Sequence, residues 1–252
     1  MLPPPVDPAG VCFPADPIAR LSLGAAWRLR AFAHALAQGL RCVPGGATHL
    51  AVAQRITAAL RGSDAFVAHP ALAGGDDPEI LVQARLRAEP VPNCASLAEV
   101  AMADVLFGGA LDQQLSALAG STDEGLALAA HDATPAAAFG DAIIGALAAD
   151  PPNRRCLQIL VDRWLAHACH VFGRPGTEVD ASLQARGARP AARTALSTYL
   201  QRTEGSLWRW GMQATDAQFM GIIVPDGWSP RRRPDPPRQD RAASRTGSTL
   251  KE

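Results

Sequence analysis

The chain predicts an all-α fold, and three observations carry that expectation. Apolar residues recur at spacings of three and four along most segments. Those segments open on Asp-Pro, Ser or Thr and close on Gly or Pro, the start and stop signals of helices. No stretch alternates apolar with polar residues as a half-buried strand does. At 252 residues the chain suits one large domain or two small ones and is long enough to bury a sizeable core. Much of its apolar content is alanine and only 5% of residues are aromatic, which favours closely packed helices.

Residues 1–16 carry five prolines, which remove amide donors and fix φ, so an extended Pro-rich leader is expected there. A first helix starts at Asp16-Pro17, with Asp as N-cap and Pro in the first turn. Ile18, Leu21, Ala25, Leu29, Phe32, Leu36 and Leu40 form its buried stripe, and Pro44-Gly45-Gly46 stops it. Thr48 starts a second helix through Val52, Ile56 and Leu60, ending near Gly62-Ser63. Asp77-Pro78 opens a shorter helix to about Ala88, which Pro90 and Pro92 break.

Ser96-Leu97-Ala98-Glu99 is a capping box. The helix beyond it sets Leu97, Ala101, Asp104, Gly108, Leu111, Leu115 and Leu118 on one face. Gly108-Gly109 in mid-helix costs about 1 kcal/mol per glycine relative to alanine, which points to close helix approach or to tolerated slack. Ser121-Thr122-Asp123-Glu124 repeats the box and starts a long alanine-rich helix to about Leu147. Pro135 inside it predicts a kink or a break into two helices.

Asp150-Pro151-Pro152 opens a helix with Leu157, Leu160, Val161, Trp164, Ala168 and Val171 inward. Gly173-Arg174-Pro175-Gly176 closes it, and a linker without a helix is expected to about Gly187. Pro190 starts a last helix through Leu196, Leu200, Leu207 and Trp210. The apolar segment 220–228 is expected to pack back on the bundle, making 17–228 a single bundle domain. Residues 229–252 turn to Arg, Pro, Asp and Ser, a composition that cannot repay the entropy of ordering.

The chain is neutral overall, but this tail holds seven basic and three acidic side chains, so it carries +4 and the remainder −4. A nearly neutral body gives no reason to expect nucleic acid. The five cysteines, Cys12, Cys42, Cys94, Cys156 and Cys169, form no C-x-x-C and no zinc spacing, so free thiols in a reducing cytoplasm are expected. No basic region followed by an apolar run marks a signal peptide, and no apolar run approaches the roughly 18 residues that span a bilayer.

At the centre of the alanine-rich helix lies Ala129-Ala130-His131-Asp132-Ala133-Thr134-Pro135-Ala136. This octapeptide resembles the metal-binding helix of ferritin-like di-iron proteins, in the form Ala-Ala-Asp-Glu-Ala-Arg-His-Ala, from the branch near the phenylacetyl-CoA oxygenase subunits. The resemblance covers residues 17 to about 172 and implies a ferritin-like four-helix bundle core with additional helices. In that family two helices each give a Glu and two each give Glu-x-x-His to a pair of irons. Here Asp132 stands at the Glu position and Pro135 at the His position. In the first helix pair the corresponding positions are Leu60 and Ser63. Gln38, Asp104 and Asp112 lie nearest the positions of the lone glutamates, and no Glu-x-x-His occurs in the chain. What the resemblance implies is therefore a scaffold without its di-iron site and with no cofactor. Its role would be that of a structural or partner-binding subunit, paired with another protein or with itself.

Other candidates are weaker. Asp132 with His131 suggests a surviving single-metal site, with iron as its alternative cofactor, in a metal-dependent oxidoreductase. His167 and His170 flank Cys169 at ligand spacing, but helix C-termini favour His for dipole reasons and no third partner is apparent. Cys169 has no base–orienter set for nucleophilic work. Trp208-Arg209-Trp210 is expected to close the end of the core, with a pocket lining as the alternative. Arg231-Arg232-Arg233 reads as a solvated run rather than a phosphate contact. A small-ligand-binding α-helical domain remains a third functional class, which requires an apolar cavity between helices.

Overall fold

A computed structural model describes residues 14–133 and 137–214. The Pro-rich leader up to residue 13, Pro135, the 220–228 segment and the basic tail lie outside the described residues. The described chain is all-α, with no strand.

Helix α1, Pro17–Gly39, begins as its start signal requires: Asp16 Oδ2 accepts the Ala19 amide at 3.1 Å, with Pro17 in the first turn. Ile18, Leu21, Ala25, Leu29, Phe32 and Leu36 are all buried. Helix α2, Ala47–Val67, runs back along it: Ser22 Oγ donates to the Phe66 carbonyl at 2.8 Å, and Arg30 Nη2 donates to Asp64 at 2.9 Å. The expected stop at Gly62-Ser63 does not occur. Gly62 lies where an added Cβ would come within 2.5 Å of Ala133 Cβ, so its glycine serves close approach rather than termination. The buried stripe of α2 is also rotated from the expected one. Val52 is inside, but Arg55, Ala59, Gly62, Ser63 and Phe66 complete the stripe, and Leu60 faces out.

Helix α3, Pro78–Ala88, is capped by Asp77 Oδ1 on the Glu79 amide at 2.9 Å and packs on α1, where Arg30 also pairs with Glu79. A continuous rod follows: α4 (Leu97–Ala103), a π-helical turn (Asp104–Gly108) and α5 (Gly109–Ala119). Its capping box forms, with Ser96 Oγ accepting the Glu99 amide at 3.2 Å and Glu99 Oε2 accepting the Ala95 amide at 2.7 Å.

The alanine-rich segment is two helices. Helix α6, Glu124–Asp132, packs on α5 and on α2, and α7, Gly140–Ala148, packs on α4. The two therefore return along the rod in the opposite sense. Asp123 caps α6 on the Leu126 amide at 2.9 Å, in place of the expected Ser121, whose Oγ accepts the Asp123 amide.

Helix α8, Pro151–His170, lies against α4, α7 and the π-turn. The expected helix-free linker is corrected: it holds α9, Glu178–Ala185, capped by Thr177 Oγ1 on the Asp180 amide at 3.2 Å. Helix α10, Ala192–Arg209, buries Leu196, Leu200 and Leu207. The buried apolar residues of these helices form one core cluster. No helix of the described residues is long and apolar enough to cross a membrane.

Candidate functional site: a buried arginine between two aspartates

The most strongly charged feature of the interior sits where α2 crosses the π-turn. Arg55 projects from the middle of α2 and its side chain is 2% exposed. Its Nε donates to Asp104 Oδ1 at 2.8 Å. Its Nη1 and Nη2 donate to the two carboxylate oxygens of Asp112 at 3.0 and 2.6 Å. The guanidinium therefore bridges two carboxylates of the rod, Asp104 at the start of the π-turn and Asp112 in α5, about two turns further on. It also lies over the Phe32 ring, 5.5 Å from its centroid.

Asp104 is fully buried, and its second oxygen is used as well. Asp104 Oδ2 accepts the amides of Phe139 and Gly140, each at 2.9 Å. Those amides open α7, which has no side-chain cap of its own. One carboxylate thus pairs with Arg55 and caps a helix that starts 36 residues later along the chain.

The π-turn sets this geometry by placing Asp104 and Gly108 toward α1 and α2 together. A Cβ on Gly108 would lie 2.9 Å from both Arg55 Nη2 and Phe32 Cζ. Gly109 has open space where its Cβ would be. The first glycine makes room for the guanidinium and the second has no such duty. The Tyr199 hydroxyl donates to the Leu106 carbonyl of the turn at 3.0 Å.

Burial alone would lower the Arg55 pKa, but hydrogen bonds and charges from Asp112 and Asp104 outweigh it and hold the guanidinium above its ordinary value. Asp112, with 28% of its side chain exposed, borders a cavity of about 260 Å³ walled by Asp104, Asp141, Tyr199, Arg202 and Thr203. Burial pushes its carboxyl up, against the pull of Arg55. A bidentate guanidinium leaves these carboxylates little capacity for acid–base chemistry or for a metal.

The positions singled out in the sequence do not converge. Asp132 and His131 are exposed at the C-terminal end of α6. Leu60 is 38% exposed on α2, whereas Ser63 is buried with an unpartnered Oγ. Pro135 lies outside the described residues. His167 is half-buried and His170 exposed, both with lowered pKa values owing first to desolvation. Between them Cys169 is buried and its thiol is pushed up to about 12, which removes it as a nucleophile at neutral pH. Trp210 is in the core, but Trp208 is 48% exposed, so only one of the two tryptophans closes the bundle.

Of the expected counterparts only Asp104 and Asp112 meet, and they meet on Arg55. Among the described residues no three His, Cys, Asp or Glu side chains gather as metal ligands. The donor set does not fit a di-iron centre. Arg55 was the residue missed from the sequence. Its signal was a charged residue in register with Val52, Ala59 and Phe66 on an otherwise apolar stripe.

No protein-family model matches the chain, and no curated protein sequence is detectably similar to it.

Proposed function

We propose that this chain is a non-catalytic helical protein of ferritin-like type whose interior carboxylates are neutralised by an arginine rather than by iron. In this reading it serves as a structural or partner-binding subunit. The observation that carries the reading is the Arg55 guanidinium held between Asp104 and Asp112. A metal entering there would have to expel a side chain that already satisfies both carboxylates. Asp132 and Pro135 at the octapeptide's ligand positions support the same conclusion. For a partner surface, Leu50 and Leu60 of α2 and Leu128 of α6 are exposed apolar side chains on two helices that touch.

Metal analysis of the protein purified from iron-supplemented culture is expected to find iron well below one atom per chain. Light scattering is expected to give more than one chain per particle, reverting to one in Leu60→Lys/Leu128→Lys. Two irons per chain would overturn the reading.

A small-ligand-binding helical domain is the second reading, favoured by the cavity beside Asp112. The oxidoreductase alternative around Asp132 gains no third ligand from the described residues.

A further inference from the structure

A second cavity, of about 250 Å³, opens beside α1. Trp27 and Arg28 of α1, Arg85 and Glu89 at the end of α3, His170 at the end of α8, and Arg174 of the following turn border it. Its charge is unbalanced. Three guanidinium groups border it beside one carboxylate, Glu89, which pairs with Arg85.

Arg28 is the group left over. The three arginines whose side chains are at most 9% exposed in ion pairs, Arg30, Arg55 and Arg189, each hold a carboxylate. Arg28, half-buried, makes no ion pair among the described residues, and its Nε is buried without an acceptor, as are those of Arg30 and Arg189. Burial lowers its pKa to about 10, with Arg189 and Arg85 adding repulsion and Glu89 opposing them. A half-buried charge with no carboxylate in contact is costly, and a bound anion relieves that cost.

The backbone makes room for this side chain. Gly24 lies one turn before Arg28 in the interior of α1, where glycine weakens a helix. A Cβ there would stand 2.9 Å from Arg28 Nη1. Arg28 and Arg85 both lie against the Trp27 ring, each guanidinium carbon 5.3 Å from its centroid. The Trp27 Nε1–H is a second buried donor without an acceptor.

We propose that this pocket binds a small phosphate-bearing molecule, with Arg28, Arg85 and Arg174 taking the phosphoryl oxygens and Trp27 and Leu196 meeting its apolar part. Guanidinium forks match phosphate oxygens in pairs. A phosphate monoester carries about −1.5 to −2 charge at neutral pH, opposite in sign to the three guanidinium groups that border the cavity. The inference concerns a different cavity from the Arg55 cluster and stands whether or not the bundle once held iron.

Calorimetric titration of the full chain at low salt, with phenyl phosphate and inorganic phosphate as probes, tests it. Phenyl phosphate is expected to bind saturably and more tightly than inorganic phosphate. Arg28→Met and Arg174→Ala are each expected to weaken it by about tenfold or more. Arg28→Met is further expected to raise the melting temperature of the free protein, which a purely structural arginine would not do. If Arg28→Met fails to fold, the exposed Arg174 variant still decides the matter. No saturable binding at millimolar probe, affinity unchanged in Arg174→Ala, or benzoate bound as tightly as phenyl phosphate would each overturn the proposal.

Discussion

Arg55→Met is the sharpest test of the interior cluster. Methionine approximates the length and volume of the arginine stem, so packing against Phe32 and Ala59 is largely kept. What disappears is the hydrogen bonds to Asp104 and Asp112 and the positive charge. Asp104, fully buried, retains only the two α7 amides, and Asp112 can turn partly to water. Removing one partner of a buried ion pair costs about 3–5 kcal/mol. The partial exposure of Asp112 favours the lower end. A loss of about 3 kcal/mol corresponds, in a chain of this size, to a melting temperature lower by roughly 6–12 °C. Urea denaturation followed by helical circular dichroism should show a lower midpoint with an unchanged slope. A cycle of Arg55→Met with Asp112→Asn should give a coupling of about 1 kcal/mol or more. Arg55→Met within about 0.5 kcal/mol of the wild type, the range of ordinary surface substitutions, would refute the claim that this pair organises the interior.

Gly108→Ala should destabilise the protein, because its methyl would meet Arg55 and Phe32, while Gly109→Ala should stabilise it by up to about 1 kcal/mol; paired thermal melts compare them directly. His167 and His170 both titrate below their ordinary value through burial, with His170 acting on His167 and Arg28 acting on His170. The unfolded chain takes up these protons near pH 6.5, whereas the folded chain does so only at lower pH. Stability should therefore rise with pH across that window and fall on acidification through it. His167→Gln/His170→Gln should flatten the slope in melts from pH 5 to 7.

Much of the helix inventory was legible because its determinants are local. Asp16-Pro17, Asp77-Pro78 and Ser96 with Glu99 satisfy amides within four residues, and the structure places each where its spacing demands. Helix α9 was missed although Thr177 and Asp180 carry a capping pattern. Its glycine-rich flanks outweighed a segment of only eight residues. Gly62 was misread because a glycine in a sequence cannot show whether it ends a helix or admits a neighbour.

By itself, then, the sequence determined an all-α chain, the starts of most helices, and the rod face on which Asp104, Gly108, Leu111 and Leu115 are buried. Only the tertiary structure decided what the interior charges meet. Arg55 and Asp104 are 49 residues apart, Asp104 and the amides of α7 35 and 36, and the surroundings of Arg28 come from four separate segments. Periodicity reports which face of a helix turns inward. It carries no information on which inward face stands opposite, and whether a buried charge finds its counterion is settled by that juxtaposition alone.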